Sequence, residues 1–430
     1  MRHWLPARPV CLPRRLRPGF VGVLVALCLL LLYTRSNDRS TWSAAAPALP
    51  QLNDGLNPVQ AQGSEPGLTI EGALSPPSLP LAQSPIPVII FTYNRPDYLR
   101  RTLDSVLAAL PPDRSLHPIF VSQDDFGPGT EQVIASYEDQ VTHLRFVWDG
   151  DRRKKVSKIY TKIARHYEFA LTEVMDRVEG HEKWDRVIML EDDMQLAPDF
   201  FPYFRRMAPL FDTDPSLYCV SAWNTNGQAP LVASPTATYR TECFPGLGWM
   251  WSRALWNELR GWTYAWWDEW LRDPVQRKGR SCIIPEVSRV TTFGERGASR
   301  GEFFSYFEAM RLNDVNVDWE AVDLGYLPQQ QYNAWMTEQL QATVSAVGWE
   351  EARKAISREL DIDGKAVEDV KERWIGYRDL DHLTAMMGDI GLITKHKAGM
   401  PRASYRGVIH VRHRGVRVWL VPDNLSLPVV

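Results

Sequence analysis

Apolar residues along the chain occur in short continuous runs that alternate with segments of helical spacing, and the alternation begins at Pro87. The run PVIIFTY (87–93) is typical of a buried strand, and the residues NRPD close it. In the next segment, YLRRTLDSVLAAL (98–110), the apolar residues recur every three or four positions, as on one face of a helix. The first two elements are therefore predicted to be a strand and a helix.

The same alternation continues to residue 224. Strands are predicted at PIFVSQDD (118–125), THLRFVW (142–148), WDRVIMLEDD (184–193) and SLYCVSAWN (216–224). Helices are predicted between them, at GTEQVIASYED (129–139), KIYTKIARHYEFALTEVMDRV (158–178) and PDFFPYFRRMAPLF (198–211). Continuous apolar strands that alternate with helices indicate an α/β fold, in which a mostly parallel, Rossmann-like sheet has helices on both faces.

Polar residues stand where three of the predicted strands end: YNR (93–95), SQDD (122–125) and EDD (191–193). Ligands of such sheets bind at the carboxyl ends of the strands, so we expect the three groups to converge at one edge. The like charges of Glu191, Asp192 and Asp193 repel one another unless a positive group lies among them. A hard divalent cation with oxygen ligands is the natural partner, and a solvated acidic turn is the alternative.

The pattern favours a nucleotide-diphosphate sugar as the ligand. The chain has neither G-x-G-x-x-G after the first strand nor G-x-x-x-x-G-K-[ST], which are the usual dinucleotide and phosphate-binding motifs. A bound nucleotide therefore needs another way to neutralise its phosphates. A metal that bridges the two phosphates would do so and would also stabilise the leaving group. One acid would then hold the metal, one the ribose and one the sugar.

Two further segments carry candidate chemistry. In AWWDEWLRDPVQRKGRSC (265–282), Asp268 stands among tryptophans, which suits a general base that removes a proton from an acceptor hydroxyl. The alternative is the solvated start of an amphipathic helix. In RVTTFGERGASRGEFF (289–304), glycines and small polar residues predict a loop that closes over a ligand, with Ser299 at a phosphate. An ordinary surface loop is the alternative there.

The N-terminal region predicts a membrane anchor. Residues 19–34, GFVGVLVALCLLLLYT, contain no charge and follow a tail, residues 1–18, that carries several arginines. An uncharged run with positive residues on its N-terminal side indicates a type II signal anchor, and a cleaved signal peptide is the alternative. Residues 35–86 are rich in Pro, Ser, Gln and Gly and are predicted to form a flexible stem.

Composition and cysteine content narrow the classes further. Among 430 residues, 49 Lys and Arg stand against 52 Asp and Glu, and the net charge of −3 gives no support for nucleic-acid binding. Three of the five cysteines lie beyond the predicted anchor, at Cys219, Cys243 and Cys282, which allows one disulfide and one free thiol. A candidate N-glycosylation site stands at Asn424.

Several long stretches resemble the N-acetylglucosaminyltransferase I family, glycosyltransferase family 13. They include TKIARHYEFAL (161–171), EDDMQLAPDFFPYF (191–204), DPSLYCVSAWN (214–224), YRTECFPGLGWMWSRALWNEL (239–259) and GMPRASYRGVIHV (399–411). The resemblance runs from about Val88 to Val411. It implies a GT-A fold, with a catalytic domain at 87–330 and a smaller C-terminal domain at 331–430.

The resemblance also implies an activity. Members of the family are inverting enzymes of the Golgi membrane, with a lumenal catalytic domain, that use Mn²⁺ and UDP-GlcNAc. They transfer GlcNAc in β-1,2 linkage to the α-1,3-arm mannose of Man5GlcNAc2, a high-mannose N-glycan on glycoproteins. Hybrid and complex N-glycan synthesis starts with this step.

Residue roles follow from the same resemblance. It implies that Asp193 binds the metal, that Glu191 and Asp192 contact sugar and ribose, and that Asp268 is the catalytic base. The other residues that match the donor-binding positions of the family are Arg95, Asp124, His166, Leu247, Trp267 and Ser299. A family disulfide matches Cys219 and Cys282.

The chain departs from the family pattern at three places. Tyr93 and Asp125 stand where the family has a second disulfide, which is therefore absent. Glu269 replaces the second acid of a WDD motif, and Cys243 stands where an aromatic residue is usual. None of these changes removes a chemical role.

Two other functions are also compatible with the sequence. The first is the related transferase that adds GlcNAc to O-linked mannose on proteins, which carries an extra lumenal domain where this chain has only the predicted stem. The second is a catalytically silent glycan-binding protein that uses a tryptophan-rich cleft. Intact acids at Asp193 and Asp268 disfavour the second.

Overall fold

Among the residues that the structure describes, eight strands form the central sheet, and six of them run in the same direction. The computed structural model describes residues 81–124, 127–137, 139–148, 157–261, 266–295, 297, 303–343, 348–349, 372–413 and 416–425. These residues belong to one unit that spans residues 74–430. The predicted tail (1–18), the predicted anchor (19–34) and most of the predicted stem (35–86) lie outside the described residues.

The strands follow the predicted order. They are β1 (Val88–Thr92), β2 (Ile119–Asp124), β3 (Thr142–Phe146), β4 (Arg186–Glu191), β5 (Met194–Leu196), β6 (Leu217–Ser221), β7 (Thr238–Thr241), β8 (Trp249–Ser252), β9 (Ser281–Pro285), β10 (Val290–Thr292), β11 (Glu372–Tyr377), β12 (Ile409–His413) and β13 (Val416–Pro422). All five strands predicted between residues 87 and 224 are confirmed, as β1, β2, β3, β4 and β6.

The helices alternate with these strands. They are α1 (Pro96–Ala109), α2 (Pro128–Ala135), α3 (Ser157–Thr172), α4 (Phe200–Met207), α5 (Leu210–Thr213), α6 (Arg253–Leu259), α7 (Trp267–Arg272), α8 (Pro274–Arg277), α9 (Phe304–Glu308), α10 (Gln329–Ala342) and α11 (Leu380–Ile390). The helix predicted at 158–178 is α3, followed by one π-helical turn, Glu173–Arg177. The helices predicted at 98–110, 129–139 and 198–211 are confirmed as α1, α2 and α4 with α5.

The strand order in the central sheet is β3-β2-β1-β4-β8-β6-β9-β7. Strands β3, β2, β1 and β4 are all parallel neighbours, and β6 is parallel to β9. Strand β8 runs antiparallel between β4 and β6, and β7 runs antiparallel at the edge beside β9. The predicted α/β class with a mostly parallel sheet is therefore confirmed. The two reversed strands were not predicted.

Helices cover both faces of the sheet because successive strand residues point to opposite faces. On β1, Val88 and Ile90 join a core with α1, α2 and α4, whereas Ile89 and Phe91 join a second core with α3 and α6. Every residue of β1 is buried. This double burial explains why the sequence of β1 is continuously apolar rather than alternating.

A disulfide joins two neighbouring strands of the sheet, as the family resemblance implied. Cys219 on β6 and Cys282 on β9 are register partners in a parallel pair, and they are bonded to each other. Cys243 is a buried free thiol, and burial raises its pKa. Because burial disfavours the thiolate, the structure gives Cys243 the character of a small apolar residue.

The predicted C-terminal domain contains a small sheet with the order β11-β13-β12. Its inner face packs against α11 through a separate apolar core. Glu286, which follows β9, ties this sheet to the central one. Its carboxylate accepts hydrogen bonds from the backbone N–H groups of Ala233 and Ser234 at 2.7 and 2.8 Å, and from Arg412 Nε on β12 at 3.2 Å.

Helices that could cross a membrane are not found among the residues that the structure describes, because none has the necessary length and apolarity.

A buried ion pair fixes the start of α4. Asp199 and Arg289 have fully buried side chains, and Asp199 Oδ2 accepts hydrogen bonds from Arg289 Nη2 at 3.1 Å and from Trp319 Nε1 at 2.9 Å. Asp199 Oδ1 accepts from Asn313 Nδ2 at 2.8 Å. The carboxylate therefore holds three separate stretches of chain together, instead of capping the helix that follows it.

We expect Asp199→Asn to lower the free energy of unfolding by about 3–5 kcal/mol, because it leaves Arg289 buried without a counter-charge. The amide would also direct an N–H group toward a donor, whichever way it turns. Urea unfolding of the two proteins measures the difference. The control is Glu173→Gln, which removes the surface partner of Arg177 and is expected to cost about 0.5 kcal/mol or less. Equal losses for the two variants would contradict the prediction.

Candidate active site

The three acids that follow the apolar part of β4 lie inside the protein rather than in solvent. Asp192 and Asp193 are buried and Glu191 is half-buried. Asp192 Oδ2 accepts a hydrogen bond from Thr92 Oγ1 at 2.7 Å, and Thr92 is the last residue of the neighbouring strand β1. The solvated acidic turn is therefore excluded as an explanation of this motif.

Arg95 supplies the positive charge that the acids require. It lies just beyond β1, at the start of α1, and its guanidinium contacts both Asp192 and Asp193. The contact of Nη1 with Asp193 Oδ2 is 2.9 Å. Burial works against the charge on Arg95, but the two carboxylates outweigh burial and raise its pKa. The expected convergence of YNR and EDD at one edge of the sheet is thus confirmed.

Burial shifts the proton equilibria of Glu191 and Asp192 toward the neutral form. Burial, followed by the negative charge of Asp193, raises the pKa of Glu191 to about 8. Burial also raises the pKa of Asp192 to about 6, although the charge of Arg95 acts in the opposite direction. Tyr167 on α3 donates a hydrogen bond from its hydroxyl to Glu191 Oε1 at 3.3 Å.

Tyr167 brings the two predicted acidic motifs into one site. Burial raises its pKa well above the ordinary value, and the charges of Glu191, Asp268 and Asp193 raise it further. The Tyr167 ring stacks on Phe91 at 3.8 Å between centroids and on Trp267 at 4.2 Å. The segments that carry Asp193 and Asp268, 75 residues apart in the chain, therefore both contact Tyr167, one through Glu191 and the other through Trp267.

Asp268 stands in the first turn of the short helix α7 and is accessible. Its side chain is 34% exposed, and its Oδ2 accepts a hydrogen bond from Arg272 Nη1 at 2.6 Å. Glu269, the next residue, lies 3.3 Å from the same Nη1 and also pairs with Lys397. Trp267, the residue before Asp268, stacks on Tyr167 at 4.2 Å.

His166 and Asp124 form a second polar group at the same edge of the sheet. His166 Nε2 is 2.8 Å from Ser122 Oγ on β2, and its ring stacks on Phe146 at 5.1 Å. Burial lowers the pKa of His166 to about 3, so the ring is neutral at physiological pH. Asp124, at the end of β2, pairs with Lys162 at 3.0 Å.

Lys162 also connects this group to β1, because its ammonium lies 4.8 Å from the ring centroid of Tyr93. Residues that follow β1, β2 and β4 are therefore gathered at one edge, as the sheet topology predicts. Tyr93 is 46% exposed, which leaves one face of this group open to solvent.

The chain after β10 lies directly against the acids. The backbone N–H of Phe293 donates to the carbonyl of Asp193 at 2.9 Å, and a Cβ at Gly294 would overlap Asp193 Oδ2. A Cβ at Gly297 would lie 3.6 Å from Arg95 Nη1. Glycine is thus required at 294 for close approach. Ser299, the predicted phosphate contact, lies outside the described residues.

Leu247 is half-buried on the chain between β7 and β8. Its carbonyl accepts a hydrogen bond from Ser221 Oγ, at the end of β6, at 3.0 Å. The structure thus fixes its backbone, and its predicted donor contact stays a prediction.

The residues present fit a hard divalent cation that is held partly by its ligand. Within the described part of the chain, no group of three or more His, Cys, Asp and Glu side chains is arranged to hold a metal ion. Asp193 is nevertheless a buried carboxylate just beyond the carboxyl end of β4, with glycine backbone directly against it. Magnesium-like cations often take one or two carboxylates and complete their shell with substrate phosphates. Asp193 would be the protein ligand in that arrangement.

The sequence did not single out several residues that organise the site. They are Thr92, Lys162, Tyr167, Arg272 and Lys397. Tyr167 lies at core spacing in α3, and Lys162 is one of many surface-like lysines, so neither gave a local signal. Of these residues, only Arg272 had a local signal in the sequence. If the segment is helical, the i, i+4 spacing places Arg272 beside Asp268.

Comparison with known families gives an extensive match. The model of the GNT-I family matches residues 48–427. An alpha-1,3-mannosyl-glycoprotein 2-beta-N-acetylglucosaminyltransferase of Arabidopsis thaliana is 41% identical over 345 residues, which cover 79% of this chain and 74% of the relative.

Solved structures give only weak matches. A Pyrobaculum calidifontis mannosyltransferase, in complex with GDP-Man and Mn²⁺, matches 61% of this chain at 16% identity and a TM-score of 0.29, and the match covers 64% of that protein, less than two thirds. S. aureus TarS matches 64% of this chain and 78% of its own at 12% identity and a TM-score of 0.33. At these scores the likenesses carry no argument about this chain.

We expect the buried, neutral His166 to make the free energy of unfolding decrease as the solution becomes mildly acidic. The pKa of His166 is about 3 in the folded protein, against an ordinary value of 6.5. The contribution of His166 to the free energy of unfolding is therefore complete above pH 6.5 and is lost as the pH falls toward 3. Between these two pH values only the unfolded chain binds the proton. Between about pH 6 and pH 4, His166→Gln should reduce the slope of the free energy of unfolding against pH by about 1.4 kcal/mol per pH unit.

Urea unfolding at several pH values measures this slope. His181→Gln is the matched control, since the side chain of His181 is a third exposed and its Nδ1 lies 2.8 Å from the carbonyl of Val178. An unchanged slope in His166→Gln would show that the folded protein protonates His166 in the normal range.

Proposed function

The chain belongs to the GNT-I family, and we propose that it is an inverting glycosyltransferase acting on N-glycans. It moves GlcNAc from UDP-GlcNAc, in β-1,2 linkage, onto the α-1,3-arm mannose of Man5GlcNAc2. The observation that carries the proposal is that Tyr167 joins the segments of Asp193 and Asp268, because its hydroxyl donates to Glu191 and its ring stacks on Trp267. An acid suited to the donor's metal and an acid suited to the acceptor's proton thus stand beside residues that contact one tyrosine.

Asp268 is the catalytic base of the reaction. Its Oδ2 is held by Arg272, and the described residues place no hydrogen bond on its Oδ1. That oxygen takes the proton from O2 of the acceptor mannose while O2 attacks C1 of GlcNAc. The C1–O bond to UDP breaks in the same step, which inverts the anomeric carbon. The bonding pair leaves with the β-phosphate of UDP.

The acids of β4 and their neighbours hold the donor. Asp193 would be the protein ligand of a divalent cation such as Mn²⁺, which when bound supplies charge stabilisation of the departing pyrophosphate. Glu191 and Asp192 lie beside it to contact sugar and ribose. Arg95 contacts these carboxylates and also lies beside Gly297 of the chain after β10. In the proposal it binds a phosphate of the donor from this position. Other residues proposed to contact the donor are Asp124, His166, Leu247, Trp267 and Ser299.

The surroundings of the enzyme are part of the same proposal. The mostly parallel sheet with helices on both faces is of the GT-A type, and the catalytic part lies in the Golgi lumen. Residues 19–34 anchor it as a single-pass type II membrane protein, and residues 35–86 form the stem. High-mannose N-glycans on passing glycoproteins are its acceptors.

The function is tested by incubating purified protein with UDP-GlcNAc and Man5GlcNAc2, with and without Mn²⁺. We expect one GlcNAc to be added only when the metal is present, and EDTA to abolish the transfer. A protein that modifies O-mannosyl peptides but not Man5GlcNAc2 would be the related O-mannose transferase. One that binds glycan without transferring GlcNAc or hydrolysing UDP-GlcNAc would be a binding protein. Equal rates with and without metal would overturn the proposed role of Asp193.

We expect Asp268→Asn to lower kcat by about 100- to 10,000-fold, because the amide cannot accept the proton. Affinity for UDP-GlcNAc should be nearly intact, since Asp268 acts on the acceptor. Steady-state kinetics and donor titration measure the two effects separately.

Asp273→Asn is the matched control. Asp273 is exposed in the same segment and caps α8 through its side chain, a role that asparagine also fills. Loss of donor binding in parallel with turnover in Asp268→Asn would show that Asp268 belongs to the donor site instead.

A further inference from the structure

Arg272 is a buried cationic side chain whose guanidinium is anchored beside the proposed base Asp268. Its side chain is only 6% exposed, and its Nε donates to the carbonyl of Phe244 at 3.1 Å. With Nε occupied, the guanidinium presents Nη1 to Asp268 Oδ2 at 2.6 Å. Burial opposes the charge of Arg272, but Asp268 and other acidic neighbours outweigh burial and raise its pKa. Arg272 therefore stays charged at its buried position.

Glu269 competes for the same nitrogen. Its Oε1 lies 3.3 Å from Arg272 Nη1, so the two neighbouring carboxylates of α7 face one donor. Lys397 contacts the same oxygen of Glu269 from the C-terminal part of the chain, 128 residues away. The four side chains therefore contact one another in the order Asp268, Arg272, Glu269 and Lys397. The last of them, Lys397, lies outside the segment that carries the proposed base.

Lys397 is held by a tight turn. Lys397 and Met400 exchange backbone hydrogen bonds of 2.9 Å, and the two residues between them, Ala398 and Gly399, have φ values of 48° and 75°. Positive φ at both central positions is the pattern of a type I′ turn, which is well defined. The turn therefore delivers Lys397 to Glu269 from a fixed direction.

We propose that Arg272 is a positioning residue for the base Asp268, and that Lys397 keeps Arg272 on Asp268 by binding Glu269. The proposal rests on the proposed function, in which Asp268 is the base. Arg272 fixes Oδ2 and so directs Oδ1 toward the acceptor hydroxyl. Without Lys397, the uncompensated charge of Glu269 draws Arg272 away, and Asp268 loses its fixed orientation.

The physical reason is that proton transfer requires close geometry. An aspartate at the start of a six-residue helix, with a third of its side chain exposed, can turn about two side-chain bonds. A buried arginine that is anchored at Nε removes this freedom, and a displacement of about 1 Å at a catalytic group can cost about 100-fold in rate. The C-terminal part of the chain thereby takes part in catalysis without touching the substrate.

The test measures kcat and the KM for UDP-GlcNAc in Arg272→Gln, Arg272→Lys, Lys397→Met, Glu269→Gln and the double variant of the last two. We expect Arg272→Gln to lower kcat by about 100-fold, with the KM for UDP-GlcNAc unchanged. Arg272→Lys should restore part of the loss, because it keeps the charge but not the planar fork. Lys397→Met should lower kcat by about fivefold in the native background.

The double-variant comparison separates positioning from general damage. In the Glu269→Gln background, Lys397→Met is expected to change kcat by less than about 1.5-fold, since the competing charge is gone. Arg177→Gln, which breaks a surface i, i+4 pair with Glu173, is the control and should leave kcat unchanged. Melting temperatures identify any variant that fails to fold, and the Lys397 and Glu269 variants then decide, since both side chains are partly exposed.

Two results would overturn the inference: wild-type kcat in Arg272→Gln, or an equal effect of Lys397→Met in both backgrounds. The wild-type protein must transfer GlcNAc in the same assay. If it does not, the proposed function fails; if it does and Asp268→Asn is inactive while Arg272→Gln is normal, only the positioning role fails.

Discussion

Three consecutive carboxylates at the end of β4 must be kept in the protein interior without the full cost of their mutual repulsion. The structure meets this requirement with Arg95, which contacts Asp192 and Asp193, and with hydrogen bonds from Thr92 and Tyr167. Thr92 and Arg95 both come from the end of β1, so β1 must lie beside β4 in the parallel sheet. The order of the strands and the charge of the site are therefore linked.

An aromatic stack connects this acidic site to helix α7, which carries the proposed base Asp268. Phe91, Tyr167, Trp267 and Trp249 follow one another with centroid separations of 3.8, 4.2 and 5.9 Å. The stack runs from β1 through α3 and α7 to β8, the antiparallel strand beside β4. Because Asp268 follows Trp267 directly, packing of the tryptophan places the proposed base beside the same stack as Tyr167, whose hydroxyl donates to Glu191. Apolar packing thus determines where the polar chemistry occurs.

Much of the fold and part of the site could be predicted from local patterns. The buried strands β1, β2, β4 and β6 were visible as continuous apolar runs, and the polar residues at the ends of β1, β2 and β4 were visible as candidate chemistry. The reversed direction of β8 was not visible, since a strand of the type WMWS carries no signal of its partner or direction. Tyr167 was hidden for a similar reason, because a tyrosine at core spacing in a helix gives no indication that its hydroxyl donates to Glu191 and its ring stacks on Trp267.

The sequence by itself determined the alternation of strands and helices, the polar residues at the strand ends, and the motifs that indicate the family, because each depends on near neighbours in the chain. Tertiary structure alone decided which charge neutralises which. Arg95 meets acids almost a hundred residues later, and Lys397 meets Glu269 across 128 residues. Such pairs leave no local trace, since the energy that selects them comes from burial of the whole sheet and not from the spacing of the residues themselves.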